Sequence, residues 1–209
     1  MPRVTFPCGG LVLDGILDLV QPGSRTPAVA VCHPHSLYGG SMENNVVEAV
    51  SQSLVKRGIS ALKFNFRGVG RSQGEFGGGT GELDDLRAAL DYLSGRIDVD
   101  PARLGVAGYS FGGMVAAKLA PAETRIKALA LVSPALSPAE MSLLASSGIP
   151  LFVISGEHDE FVASSSVRSL QKQLRLPSSA YVNPSADHFW WGLEAGMADS
   201  VAGFLSSNL

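Results

Sequence analysis

The stretch Leu104-Gly105-Val106-Ala107-Gly108-Tyr109-Ser110-Phe111-Gly112-Gly113 decides how this chain is read. An apolar strand runs into a glycine-flanked serine, and an alanine-rich segment suited to a helix follows. The G-x-S-x-G pattern matters because of those flanks. A serine held at a sharp strand-to-helix turn needs small neighbours, and the helix N-terminus then points positive potential at a developing oxyanion. Gly108 and Gly112 supply the small neighbours. The plainer alternative makes Ser110 a helix N-cap, and partner residues must separate the two.

A serine hydroxyl is a weak nucleophile, so it needs a histidine base that a carboxylate orients, in the chain order Ser, acid, His for this type of turn. Both partners follow in that order. The apolar run Pro150 to Ser155 ends in Gly156-Glu157-His158-Asp159, which puts Asp159 at the carboxyl edge of a sheet, where catalytic groups gather. Farther on, Asp187-His188-Phe189 opens the last helical segment and places His188 on the same edge. Glu157 and Glu160 compete with Asp159, and His158 competes with His188 from an awkward position beside the acid. Asp187 reads as a turn residue.

Outward from this core the chain alternates short apolar runs with amphipathic stretches. Buried strands are predicted at 28–32, 59–65, 103–108, 127–132, 150–155 and 179–183, mostly apolar without alternation, as strands covered on both faces require. Helices are predicted at 43–57, 111–120, 138–147, 164–175 and roughly 190–206. Another, capped by Thr80, carries Leu83, Leu86, Leu90 and Leu93 on one face and ends before Gly95. Arg3 to Pro7 and Leu11 to Val20 read as an antiparallel pair turning at Gly9-Gly10. The expectation is an α/β fold of about eight strands, mostly parallel, with helices on both faces and right-handed crossovers, forming a single domain over 1–209.

Composition bounds the function. The chain has 209 residues, 45% hydrophobic and 17% charged, with 16 Lys and Arg against 19 Asp and Glu for a net charge of −3. Such a chain can bury a core without disulfides or metals. No basic cluster is present to neutralise a phosphate backbone, so nucleic acid is not an expected partner. No apolar run is long enough to span a bilayer, and Asp14 and Asp18 interrupt the N-terminal stretch where a signal peptide would be apolar. A cytoplasmic protein without a membrane partner is expected. Cys8 and Cys32 read as reduced and buried.

Three further motifs have plain readings. Gly68-Val69-Gly70-Arg71-Ser72-Gln73 follows a strand but misses the dinucleotide fingerprint by one position, and Arg67 and Arg71 are expected to brace that loop. His33 and His35 are expected to tie down their loop rather than bind zinc, since no third ligand sits at a metal-site spacing. Of Trp190 and Trp191, one is expected to dock the last helix and the other to line the acyl site.

With these residues in view, the chain over roughly 26–192 resembles an α/β-hydrolase, close to small bacterial enzymes without a cap near the dienelactone-hydrolase branch. The resemblance rests on Cys32-His33-Pro34-His35-Ser36-Leu37-Tyr38-Gly39-Gly40-Ser41-Met42, on Asn65-Phe66-Arg67-Gly68-Val69-Gly70-Arg71-Ser72, on the turn at Ser110, and on the Asp159 and His188 loops. Ser36 departs from a common proline, and Ser110 from the cysteine of dienelactone hydrolases themselves, so that reaction is not implied. The resemblance implies that the backbone N–H of Phe111 and an N–H of the 33–40 loop, His35 by register with Leu37 second, form an oxyanion hole. Ser110, Asp159 and His188 would then hydrolyse small carboxylic esters through an acyl-enzyme, without cofactor or metal. An amide or peptide bond hydrolase and a non-catalytic binding protein are the alternatives. The sequence leaves the choice between monomer and homodimer open.

Overall fold

The structure is a computed structural model that describes residues 2–20, 24–175 and 177–209. Eight strands form one sheet in the order β1-β2-β4-β3-β5-β6-β7-β8. They are β1 Arg3–Cys8, β2 Leu11–Asp18, β3 Thr26–Cys32, β4 Ser60–Phe64, β5 Val99–Tyr109, β6 Ile126–Val132, β7 Leu151–Gly156 and β8 Ser179–Asn183. The β1–β2 and β2–β4 pairs are antiparallel, and every later pair is parallel. Each predicted strand is present.

Among the described residues six α-helices cover the sheet: α1 Asn45–Lys56, α2 Gly81–Ser94, α3 Phe111–Leu119, α4 Pro138–Ser146, α5 Ser164–Gln173 and α6 Glu194–Asn208. The alternating geometry of β3 shows why its run is apolar throughout. Ala28, Ala30 and Cys32 belong to the core that also holds Leu86 of α2, Val115 of α3, Met141 of α4 and Val167 of α5, whereas Val29 and Val31 belong to the core that holds Val46 of α1 and Val201 of α6. Two cores, one on each face, leave no polar side to the central strands. Cys8 and Cys32 are both buried free thiols.

Side-chain caps start two of the helices. Asn44 accepts from the Val46 amide to start α1, and Ser137 with Glu140 forms a capping box before Pro138. Thr80 departs from expectation, since its side chain makes no capping bond. Its backbone is already helical, at φ −97° and ψ −48°, and not extended as a capping residue requires, while the Glu82 carboxylate ties down the glycine-rich approach by accepting from the amides of Gly77 and Gly79, both at 2.7 Å. Gly95 has φ −79°, so α2 ends without a left-handed residue.

Arg67 braces its loop as expected, with a forked ion pair to the buried Asp85 that includes a 2.7 Å contact, while Arg71 is exposed and makes none of the loop's hydrogen bonds. Between β6 and β7 the chain forms only α4, and no cap covers the carboxyl edge of the sheet. Among the described residues no helix is long and apolar enough to cross a membrane.

Candidate active site

The strand β5 lies between β3 and β6, so its carboxyl end opens at the middle of the sheet edge. There Ser110 takes φ 53°, a left-handed conformation unusual for serine, and its amide donates to the Val132 carbonyl at 2.9 Å. The sequence folds this way because the chain reverses almost onto itself. A β-carbon on Gly108 would lie 2.5 Å from the Gly112 carbonyl oxygen, and one on Gly112 would lie 2.5 Å from the carbonyl oxygens of Cys32 and His33. Only glycine fits at either position.

The three residues singled out from the sequence come together here. Ser110 Oγ lies 3.0 Å from His188 Nε2, and His188 Nδ1 lies 2.9 Å from each carboxylate oxygen of Asp159. An ionised carboxylate only accepts, so Nδ1 carries the imidazole proton and Nε2 presents a lone pair to the serine hydroxyl. Burial is the largest influence on the Asp159 carboxyl and opposes its ionisation. Hydrogen bonds from His188 and Ser133, the neighbouring imidazole and the Phe161 amide together outweigh it and hold the group below the ordinary carboxylate range.

The competing groups point elsewhere. Glu157 is taken up by Arg168 and Ser164, Glu160 and His158 are exposed, and Asp187 accepts from the Phe189 and Trp190 amides as a turn residue.

The loop after β3 packs beside the start of α3, with the His35 and Phe111 rings 4.8 Å apart. Phe111 is the first residue of its helix, so its amide has no intrahelical acceptor. In the facing loop, the Leu37 amide donates to His35 Nδ1 at 3.2 Å, while the His35 amide takes part in no hydrogen bond among the described residues. His33 is a brace: its Nε2 accepts from the Phe66 amide at 3.0 Å, so Nδ1 carries the proton and donates to the Pro34 carbonyl at 2.6 Å. Burial pushes its pKa down to about 4, and with both nitrogens engaged it has no lone pair for a metal.

Several residues of the site carry no sequence signal. The Tyr109 hydroxyl donates to the His188 carbonyl at 2.9 Å. Gly156 lets the Asp159 loop lie against the His188 loop, since a β-carbon there would collide with the Ala186 carbonyl. Phe161 packs at a tilt 4.7 Å from the His188 ring yet is 63% exposed, and Phe189 meets that ring edge-on. Trp190 is the docking tryptophan, fully buried, and Trp191 is 70% exposed. Two surface cavities, one lined by Cys8 and Arg67 and the other by Pro121 and Ile149, lie away from these groups.

An uncharacterised protein of Rickettsia prowazekii is 36% identical over 174 residues, covering 79% of this chain and 73% of its own. An alpha-beta serine hydrolase homologue from Coxiella burnetii superposes with a TM-score of 0.85 at 28% identity, covering 97% of this chain and 96% of the other. A serine hydrolase without lid from Xanthomonas campestris superposes with a TM-score of 0.81 at 30% identity, covering 99% and 94%. The profile of the Dienelactone hydrolase family matches residues 78–188, from the approach to α2 through to His188, and with these relatives it establishes that the chain is an α/β-hydrolase belonging to that family.

Proposed function

We propose that this protein is a serine hydrolase of small carboxylic esters that works through an acyl-enzyme. The observation that carries the reading is the unbroken line from Ser110 Oγ to His188 Nε2 at 3.0 Å and from His188 Nδ1 to Asp159 at 2.9 Å. Ser110 Oγ bonds to the ester carbonyl carbon as His188 Nε2 takes its proton. The Phe111 and His35 amides receive the oxyanion. Collapse breaks the bond to the alcohol, which leaves with the proton from His188. Water then repeats the sequence against the acyl-serine and releases the acid. Asp159 stays ionised throughout and stabilises the imidazolium.

A fluorophosphonate probe, which reacts with an activated serine, tests this directly. Wild type is expected to label and to hydrolyse short nitrophenyl esters, whereas Ser110→Ala does neither, with kcat lower by on the order of 10³ or more in a variant of unchanged thermal stability. A wild type that binds esters without labelling or turnover would instead be a binding protein on a hydrolase scaffold.

A further inference from the structure

The loop after β3 spends most of its amides on itself. The Leu37 amide donates to His35 Nδ1, the Tyr38 and Gly40 amides donate to the His35 carbonyl at 3.0 and 3.1 Å, and the Gly39 amide donates to the Ser36 carbonyl. The His35 amide makes no such bond among the described residues, so its direction decides whether the loop can serve an oxyanion.

That direction is set from His33. Its Nδ1 donates to the Pro34 carbonyl at 2.6 Å, and this carbonyl belongs to the same planar peptide unit as the His35 N–H. In a trans peptide the two groups point in opposite directions, so a donor that fixes the carbonyl also fixes the N–H, aimed away from the His33 ring. The same bond polarises the peptide and strengthens its N–H as a donor. The ring itself cannot swing. It is fully buried, its Nε2 accepts from the Phe66 amide at 3.0 Å, and the Phe66 ring meets it edge-on at 4.7 Å. The His33 backbone lies against the start of α3, since a β-carbon on Gly112, the neighbour of Phe111, would stand 2.5 Å from the His33 carbonyl oxygen.

We propose that His33 is a positioning residue of the oxyanion hole: anchored by the Phe66 amide, its Nδ1–H turns the Pro34–His35 peptide so that the His35 N–H meets the developing oxyanion. The role rests on the serine-hydrolase reading given above and extends it to a buried side chain that touches no substrate.

The two bonds of the ring can be separated. An asparagine amide places an N–H where imidazole Nδ1 stands, and a glutamine amide places its oxygen where Nε2 stands. His33→Asn therefore keeps the donor to Pro34 and loses the acceptor for Phe66, whereas His33→Gln keeps the acceptor and loses the donor. Both are compared with wild type and His33→Ala on nitrophenyl acetate and with a trifluoromethyl ketone inhibitor. Ser110 Oγ bonds to the ketone's carbonyl carbon as His188 Nε2 takes the hydroxyl proton, and the carbonyl oxygen becomes a tetrahedral oxyanion that has no leaving group to expel. Fluorophosphonate labelling of wild type is read first, since an unlabelled wild type overturns the serine-hydrolase reading and this role with it. With wild type labelled, His33→Gln is expected to lose roughly ten- to a hundredfold in kcat, less than the outright loss of an oxyanion donor costs, with KM within about twofold and ketone inhibition weakened by a similar factor. His33→Asn should recover most of that rate although its Tm falls further than that of His33→Gln, because it leaves the buried Phe66 amide without an acceptor. His33→Ala lacks both bonds and should be as slow as His33→Gln, and it carries the comparison with His33→Asn if the glutamine variant does not fold. Equal kcat in the asparagine and donor-less variants, rates that follow Tm, or unchanged ketone inhibition while kcat falls would overturn the role and leave the hydrolase reading in place.

Discussion

Tyr109, the residue immediately before Ser110, donates its hydroxyl to the backbone carbonyl of His188 at 2.9 Å. The strand that presents Ser110 is thereby tied to the loop that presents His188 by a bond that uses neither of those side chains. Burial pushes the Tyr109 phenol far above its ordinary range, so the hydroxyl stays a donor across the working pH range. Tyr109→Phe keeps the ring and leaves the His188 carbonyl without that donor. The expected result is a loss of about 1 kcal/mol in stability and up to about tenfold in kcat, with KM little changed. Chemical denaturation and steady-state kinetics on the same preparation check both.

Three carboxylates crowd the loop from 157 to 160, and only Asp159 meets His188. Asp159→Asn should leave the imidazole in the wrong tautomer and cut kcat by roughly 10³ to 10⁴. Glu157→Gln should cost a half-exposed ion pair to Arg168 and little activity. Glu160→Gln should be silent. Because Asp159 is held below the ordinary carboxylate range, it should stay ionised down to that range, so its protonation should lower kcat/KM only under more acid conditions than an ordinary carboxylate would. A loss of activity from Asp159 protonation within the ordinary carboxylate range, or Glu157→Gln as the severe variant, contradicts the assignment.

His33 supplies a stability signature in acid. Its folded pKa is about 4, pushed down by burial, against about 6.5 in an unfolded chain. Between those values the unfolded chain binds a proton that the folded chain does not, so stability rises with pH across this window. The contribution is complete above about pH 6.5 and is lost progressively as the pH falls toward 4, by roughly 3 kcal/mol in all. His33→Gln removes the titration, and its Tm should fall less steeply with acid than that of wild type. Equal slopes would mean that His33 is not the group being protonated.

How much of this was legible in the sequence follows from where each signal resides. Ser110 and Asp159 were readable because each follows an apolar strand that ends in a glycine-marked turn, and His188 because it follows the last strand, and a parallel sheet brings such positions to one edge. Tyr109 and Gly156 were not, because each acts through a tertiary contact that leaves no local pattern: a carbonyl 79 residues away and the crossing at Ala186. Trp190 and Trp191 were indistinguishable for a related reason. At Trp190 the chain takes φ 62°, so the turn, and not a helical period, decides which indole faces the core. The Thr80 expectation failed because a capping side chain reaches the first-turn amides only from an extended backbone, and Thr80 already has helical angles.

The last prediction concerns acyl length. Between β6 and β7, where a cap would stand, there is only α4, and the catalytic edge is left open. The apolar groups beside the base, Phe161 and Phe189, are 63% and 49% exposed, so they form a rim to the site and not an enclosed tunnel. A substituent bound against such a rim buries its first few carbons and leaves the remainder in water. Each methylene that stays wet forgoes up to about 0.8 kcal/mol of binding available to the transition state, so extension beyond the rim should bring no further gain in kcat/KM. Nitrophenyl esters from acetate to palmitate should therefore show their maximum among the short acids, and activity should not jump when the longer esters form micelles, since there is no cap to be opened by an interface. Phe161→Ala should flatten the profile further by removing one wall of the rim, with a cost of severalfold for butyrate and little for acetate. A maximum at palmitate, or a rise in turnover at the critical micelle concentration, would require a long apolar channel that the open arrangement of Phe161, Phe189 and α4 does not supply.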